Sequence, residues 1–237
     1  MHSVAETNRR VPAPYQLKPG PYSSHSRLLA LLPADGRGRR VLDVGCAGGY
    51  LAAILAQRGY CVIGIDSPGR MALDFPPEIE PIEADLDRGL PPLAGGFDYV
   101  LCADVLEHLR EPARMLSQLR ACLNPGGRLV ASLPNSGHFY FRWNVLLGRF
   151  PAHDRGLFDR THLHFYTWSG WTDLLAGAGF AIDTAAVSGV PVGLAFPGKA
   201  GCPVVRALER LSYESARLWK KLFAYQFIVS ARPEALP

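Results

Sequence analysis

Residues 41–50 read VLDVGCAGGY, and this stretch decides the fold. Val41, Leu42 and Val44 surround the acid Asp43, a glycine-rich turn follows over 45–49, and the helical pattern LAAILAQRG comes next. A buried strand that breaks into such a turn and opens a helix makes a ligand cradle. Its backbone N–H groups point outward, and no bulky Cβ blocks close approach. A dinucleotide fingerprint needs Gly-x-Gly-x-x-Gly, whereas here Gly45 is followed by Gly48 and Gly49. A P-loop is excluded because no Gly-Lys-Ser/Thr follows. Asp43, two residues before the first glycine, favours a ligand that carries positive charge near the turn.

Outward from this stretch, strand and helix patterns alternate. Strands are expected at 61–66 (CVIGID), 81–85 (PIEAD), 97–104 (FDYVLCAD), 128–134 (RLVASLP), 180–187 (FAIDTAAV) and 224–231 (AYQFIVSA). Helices are expected at 50–58 with Gly59 as the C-terminal stop, at 111–123, at 169–178 and at 204–222. Met115, Leu116, Leu119 and Leu123 recur at helical spacing on one face. The rhythm implies an α/β, doubly wound, mostly parallel sheet with helices on both faces. Ligands bind outside the carboxyl ends of such strands, here just after Val44, Ile65, Ala84, Ala103 and Leu133. The N-terminal 1–37 reads as a proline-rich arm, placed to fold over a site, and a short Ser-capped helix with Leu28, Leu29, Leu31 and Leu32 on its apolar face. Residues 38–237 form the main domain, and LNPGG is expected as a turn.

Composition narrows the setting. Hydrophobic residues make up 48% of 237 and the formal charge is +4, an ordinary globular balance. Lys and Arg are dispersed, so no nucleic-acid face is expected. The five cysteines show no Cys-x-x-Cys spacing, and Cys46, Cys61 and Cys102 lie in or beside apolar segments, which suits reduced, buried thiols and a cytoplasmic setting. No apolar run is long enough to span a bilayer, and MHSVAETNRR lacks the apolar core of a signal peptide.

Taken together, VLDVGCAGG, VIGID, IEADL, FDYVLCADVLEHL and LNPGGRLVASLPN resemble the ordered motifs of the class I S-adenosylmethionine-dependent methyltransferases. The resemblance is firm over 38–134 and weaker to the last strand. The first motif departs from Asp/Glu-x-Gly-x-Gly-x-Gly only at Ala47, which is small. The resemblance implies a Rossmann-like sheet of seven strands whose last strand, AYQFIVSA, is antiparallel. It implies S-adenosylmethionine as cofactor, with Asp66 receiving the two ribose hydroxyls and Asp85 the adenine amine, beside the Leu86 backbone. Asp43, Gly45, Cys46, Ala47, Gly49, Ser67, Cys102 and Ala103 complete the cofactor-binding set. Asp66 and Asp85 also read as N-caps, and Asp43 as an acid that stabilises the turn.

Residues 135–168 break the rhythm with many aromatics, four arginines and four of the seven histidines, and are expected to form an insertion over the acceptor. The donor's methyl is already activated, so the enzyme mainly aligns a nucleophile and excludes water. Candidates to contact or deprotonate an acceptor are His108, beside Glu107, then His138, His162 and His164, each with a structural reading as the alternative. His162 and His164 share one face of an extended chain. A metal there needs a third ligand from Asp154 or Asp159, and no metal is assigned. The insertion's aromatics suit either stacking on a ring or sugar face, or capping of the sheet. The segments FDRTHLHFYTWSGW and LWKKLFAYQFIVSARP resemble methyltransferases associated with glycan synthesis. The expected acceptor is therefore a small molecule, a hydroxyl of a sugar, glycan or related metabolite. An apolar, quinone- or polyketide-like acceptor and a non-catalytic cofactor-binding protein are the alternatives. Basic residues beside the apolar positions of 204–222 allow peripheral membrane contact, and oligomeric state is left open.

Overall fold

The computed structural model describes residues 17–18, 20–71, 77–195, 198 and 201–234. Most of the proline-rich arm lies outside the described residues. The chain runs α1 (Ser24–Leu29), β1 (Arg40–Val44), α2 (Tyr50–Gln57), β2 (Cys61–Asp66), β3 (Ile79–Glu83), β4 (Phe97–Ala103), α3 (Pro112–Ala121), β5 (Leu123–Pro134), α4 (Phe139–Leu146), α5 (Trp168–Gly177), β6 (Phe180–Ser188), α6 (Val192–Ala195), α7 (Pro203–Leu218), α8 (Lys220–Phe223) and β7 (Gln226–Pro233). The seven strands form one sheet in the order β3-β2-β1-β4-β5-β7-β6. β1 to β5 pair in parallel, and β7 is antiparallel to both its neighbours. The sheet is thus the Rossmann-like one expected.

Alternation along each strand divides the core. Leu42 and Val44 face a cluster that includes Met115, Leu116 and Leu119 of α3 and Trp171 and Leu175 of α5. Val41 faces Leu28 and Leu29 of α1 and Leu51, Ala52 and Leu55 of α2. Ser23 caps α1 by accepting from the Ser26 N–H at 3.2 Å, as the sequence suggested. Trp171 is fully buried, and its indole donates to the Pro134 carbonyl at 2.8 Å.

Several boundaries moved. β3 begins two residues early because Ile79, buried, pairs with Val62; Pro81 is tolerated there since β3 is an edge strand. LNPGG lies inside β5 rather than before it: Leu123 pairs with Phe97 and Arg128 with Tyr99, so 124–127 bulge out between two pairings. The long helix expected over 204–222 breaks at Trp219 (φ −139, ψ 78) into α7 and α8. The insertion carries a helix of its own, α4.

The turn after β1 is tightly constrained. Gly45 sits at φ 71, and a Cβ there would lie 2.5 Å from Val105 Cγ2. Ala47 stands at φ 46, a left-handed position that costs an L-residue about 1–2 kcal/mol. Replacing Gly45→Ala is expected to lower stability by about 2–4 kcal/mol, combining backbone strain and overpacking. Adding Val105→Ala should restore the overpacking part. Urea unfolding of the single and double variants measures both, and equal midpoints for the two would refute the Val105 contact as the cause.

Candidate active site

The cradle is the carboxyl end of β1, β2 and β4. Gly45 N–H donates to the Ile65 carbonyl at 2.7 Å and Cys46 N–H to the same oxygen at 3.2 Å, folding the turn back over β2. Asp66 locks it. Its Oδ2 accepts from Ala47 N–H at 2.8 Å and its Oδ1 from Ser67 N–H at 2.6 Å. A cavity of about 160 Å³ opens here, lined among others by Gly45, Ala47, Asp66, Ser67, Asp85, Leu86 and Ala103. Asp85 also caps the turn that follows it, accepting from Asp87 N–H at 3.1 Å.

Four other residues of the expected cofactor set do not line this cavity. Cys46 is buried under the turn, and Gly49 (φ 71) is spent as the left-handed residue that starts α2. Cys102 pairs with Val44 and Ala131 in mid-sheet and belongs to the core, where burial pushes its thiol up. Asp43 is buried behind the turn, with Oδ2 lacking a hydrogen-bond partner. Burial, then the Asp66 charge, pushes its carboxyl up to about 8 against a bond from the Ala52 N–H.

A second cavity of about 470 Å³ adjoins the first, and the two share Lys18, Asp104 and His108. Glu107, His108 and His162 make one end of it polar, and the lining also includes Arg155, Asp159 and the apolar Leu157, Val190, Pro191, Val192 and Leu194. Asp104, just past β4 at φ 58, is the hub. Its Oδ2 meets Lys18 Nζ at 2.5 Å, and its Oδ1 accepts from Ser132 Oγ at 2.6 Å and Gln226 Nε2 at 2.5 Å. Burial raises this carboxyl, but the Lys18 charge and these bonds outweigh it and hold the group down at about 2.

His108 and His162 line the second cavity; His138 and His164 do not. His138 is the buried N-cap of α4, its Nδ1 accepting from Tyr140 N–H at 3.2 Å. His164 stacks on Tyr166 and approaches the Arg110 carbonyl at 3.4 Å. The third ligand considered from sequence is also elsewhere engaged. Asp154 pairs with Arg160, and Asp159 accepts from Thr161 N–H and Oγ1 at 2.8 and 2.6 Å. Instead the fold brings together Glu107, His108 and His162, whose donor atoms lie within 4.8 Å of one another. Sequence reading missed Lys18, His25 and Asp104. Asp104 follows Ala103 at a strand end, a place that flags an acid; Lys18 and His25 are brought in by long-range packing, with His25 Nδ1 accepting from Lys18 N–H at 2.9 Å.

A glycine-rich cradle at the switch of this sheet order, an acid closing β2 and a second cavity beside it define the class I S-adenosylmethionine-dependent methyltransferases. Residues 16–185 match the family described as "Methyltransferase domain". The chain belongs to that methyltransferase family, and S-adenosylmethionine is its methyl donor. It is 33% identical over 105 residues to a ubiquinone biosynthesis O-methyltransferase of Pseudomonas aeruginosa, covering 41% of this chain and 45% of that protein. The chain thus spans less than half the length of that relative. The fold is similar to an S-adenosylmethionine-dependent methyltransferase of Mesorhizobium loti, with TM-score 0.59, 22% identity, and 89% and 98% of the two chains covered. It is also similar to the magnesium protoporphyrin IX methyltransferase of Synechocystis PCC 6803 solved with bound SAH, with TM-score 0.56, 22% identity, and 89% and 80% covered.

Burial holds His25, His138 and His162 down at about 4 from an ordinary 6.5. Between pH 6.5 and 4 the unfolded chain takes up protons that the folded chain refuses. Their contribution is therefore complete above 6.5 and is lost as pH falls toward 4. His138→Asn keeps a capping oxygen and is expected to flatten the fall in melting temperature from pH 6.5 to 4.5, with stability at pH 7.5 within about 1 kcal/mol of the native chain. The difference between native and variant isolates this histidine from Asp43, whose raised pKa acts in the opposite direction. Parallel pH profiles would show that His138 does not carry the effect.

Proposed function

We propose that the chain moves a methyl group from S-adenosylmethionine to a hydroxyl of a small molecule with an apolar body. The observation that carries this is the junction of the two cavities at Lys18, Asp104 and His108. The donor occupies the cradle. Asp66 receives the ribose diol with the lone pairs its two main-chain bonds leave free. Asp85 and the Leu86 backbone take the adenine, and Gly45, Ala47 and Ala103 border the amino-acid end.

The acceptor's hydroxyl lies at the polar end of the second cavity and its body against Leu157, Val192 and Leu194. A sugar or glycan hydroxyl, the acceptor expected from the sequence, suits the polar end but leaves this wall unmatched. The named relative's part in ubiquinone biosynthesis agrees with an apolar acceptor. Burial and the neighbouring His108 hold His162 at about 4, so it takes a proton weakly at neutral pH. Alignment of the acceptor oxygen behind the methyl carries most of the rate. Asp66→Ala is expected to weaken S-adenosylhomocysteine binding at least about 10-fold by calorimetry, the loss of charge-assisted bonds. Unchanged affinity would refute the ribose assignment. Methyl transfer from labelled donor should be faster to a hydroxylated aromatic with an alkyl tail than to a free sugar, and the reverse order would restore the sugar reading.

Access to such an acceptor is proposed to come from an anionic lipid surface. Among the described residues no helix is long and apolar enough to cross a membrane, but α4 exposes Trp143, Val145 and Leu146, and α7 exposes Val204, Leu208, Leu211 and Leu218. Phe139 lies 5.8 Å from Phe223, which lies 6.2 Å from Trp219, joining the two faces. Over 139–150 and 203–223 the sequence carries seven Arg and Lys against two Glu. Exposed tryptophan and leucine amid basic residues suit a lipid headgroup boundary. The chain should float with phosphatidylcholine vesicles containing phosphatidylglycerol and not with pure phosphatidylcholine. Trp143→Ala with Leu146→Asp should reduce binding at least about 10-fold, as lost apolar burial and added negative charge require. No flotation with either vesicle would overturn the idea.

A further inference from the structure

We infer that Glu107, His108 and His162 form a binding site for one divalent first-row transition cation at the polar end of the acceptor cavity. The three donors come from two stretches that the fold ties together. Glu107 and His108 lie on the short turn after β4, and the loop carrying His162 is tied there by Leu163 N–H and His164 N–H, which donate to the Glu107 carbonyl at 2.9 and 3.2 Å. The side chains face one gap without bonding across it. Glu107 Oε1 and His162 Nε2 are 3.8 Å apart, too far for a hydrogen bond. The two imidazoles meet edge to face with centroids 4.7 Å apart. Glu107 Oε2 is fully buried with no hydrogen-bond partner. A buried carboxyl oxygen without a partner is costly, and a cation in the gap would satisfy it together with both rings.

The surroundings suit ligand histidines. Thr161 Oγ1 donates to Asp159, so the nearby His108 Nδ1–H is assigned as donor to the Thr161 carbonyl at 3.1 Å. That bond fixes the tautomer and leaves Nε2 with a lone pair, the outer-shell arrangement that orients a ligating imidazole. Two imidazoles and one carboxylate favour Zn2+ or Co2+ over Ca2+ or Mg2+, which prefer all-oxygen sets. All three residues line the acceptor cavity, so a fourth position would face the acceptor oxygen. A hydroxyl bound there would lose its proton more readily to solvent water, since His162, as a ligand, is no longer free to take it. This last role rests on the acceptor reading above; cation binding itself does not.

The test uses the full chain, stripped with chelator and titrated with Co2+, followed by visible absorption and calorimetry, with Zn2+ as competitor. One Co2+ per chain is expected, displaced by Zn2+. Glu107→Gln and His162→Ala should each weaken it at least about 10-fold, and His164→Ala, outside the gap, should bind as the native chain does. A melting shift with S-adenosylhomocysteine in every variant shows that the fold and cradle are intact. Absence of saturable one-to-one binding overturns the site, as does equal binding by Glu107→Gln and His162→Ala. Methyl transfer that proceeds at full rate with excess chelator overturns the acceptor role.

Discussion

Everything around the two cavities hangs on one half-buried carboxylate. Asp104 holds Lys18 from the N-terminal segment, Ser132 of β5 and Gln226 of β7, partners separated from it by 86, 28 and 122 residues. Removing one partner would strand a charge that is only partly hydrated, at a cost below that of a fully buried pair. The same carboxylate lines both cavities. Lys18, ahead of α1, and the antiparallel last strand are thereby fixed to the rim that the two cavities share.

The sheet was legible in the sequence because alternating strands and amphipathic helices are local signals. VLDVGCAGGY, CVIGID and FDYVLCAD each carry their own period and their own stop. The turn was legible too, although Ala47 is less neutral than its size implies: it occupies a left-handed position and relies on its N–H bond to Asp66. The cavity floor was only half legible. Ala103 was found and Asp104, one residue on, was not, since its importance comes from partners distant in sequence. His138 looked like a catalytic candidate because it follows a strand end, yet a strand end is also where a helix needs a cap.

The insertion shows the same limit. Its aromatics could be read as a stacking surface or as packing, and the structure divides them. Phe141 stacks on Phe158 at 4.4 Å, with Phe150 and Phe165 set against them, and Phe141, Leu157 and Phe158 form a small core of their own. Trp143 and Leu146 project outward instead. Composition alone could not separate these groups, because helical spacing within α4 assigns Phe141 inward only once the loop carrying Phe158 has folded back.

Asp66 already spends one bond from each carboxylate oxygen on the main chain, at Ala47 and at Ser67. Its rotamer is settled from behind, before any hydroxyl approaches from the front. The entropy of immobilising that side chain and the turn above it is charged to folding rather than to binding. The cradle is in this sense a lock cut in advance: what it gives up in the stability of the free chain, through the left-handed Ala47, it would regain, with Asp66 as the proposed diol acceptor, as selectivity for a ligand that matches an acceptor unable to swing to meet another shape.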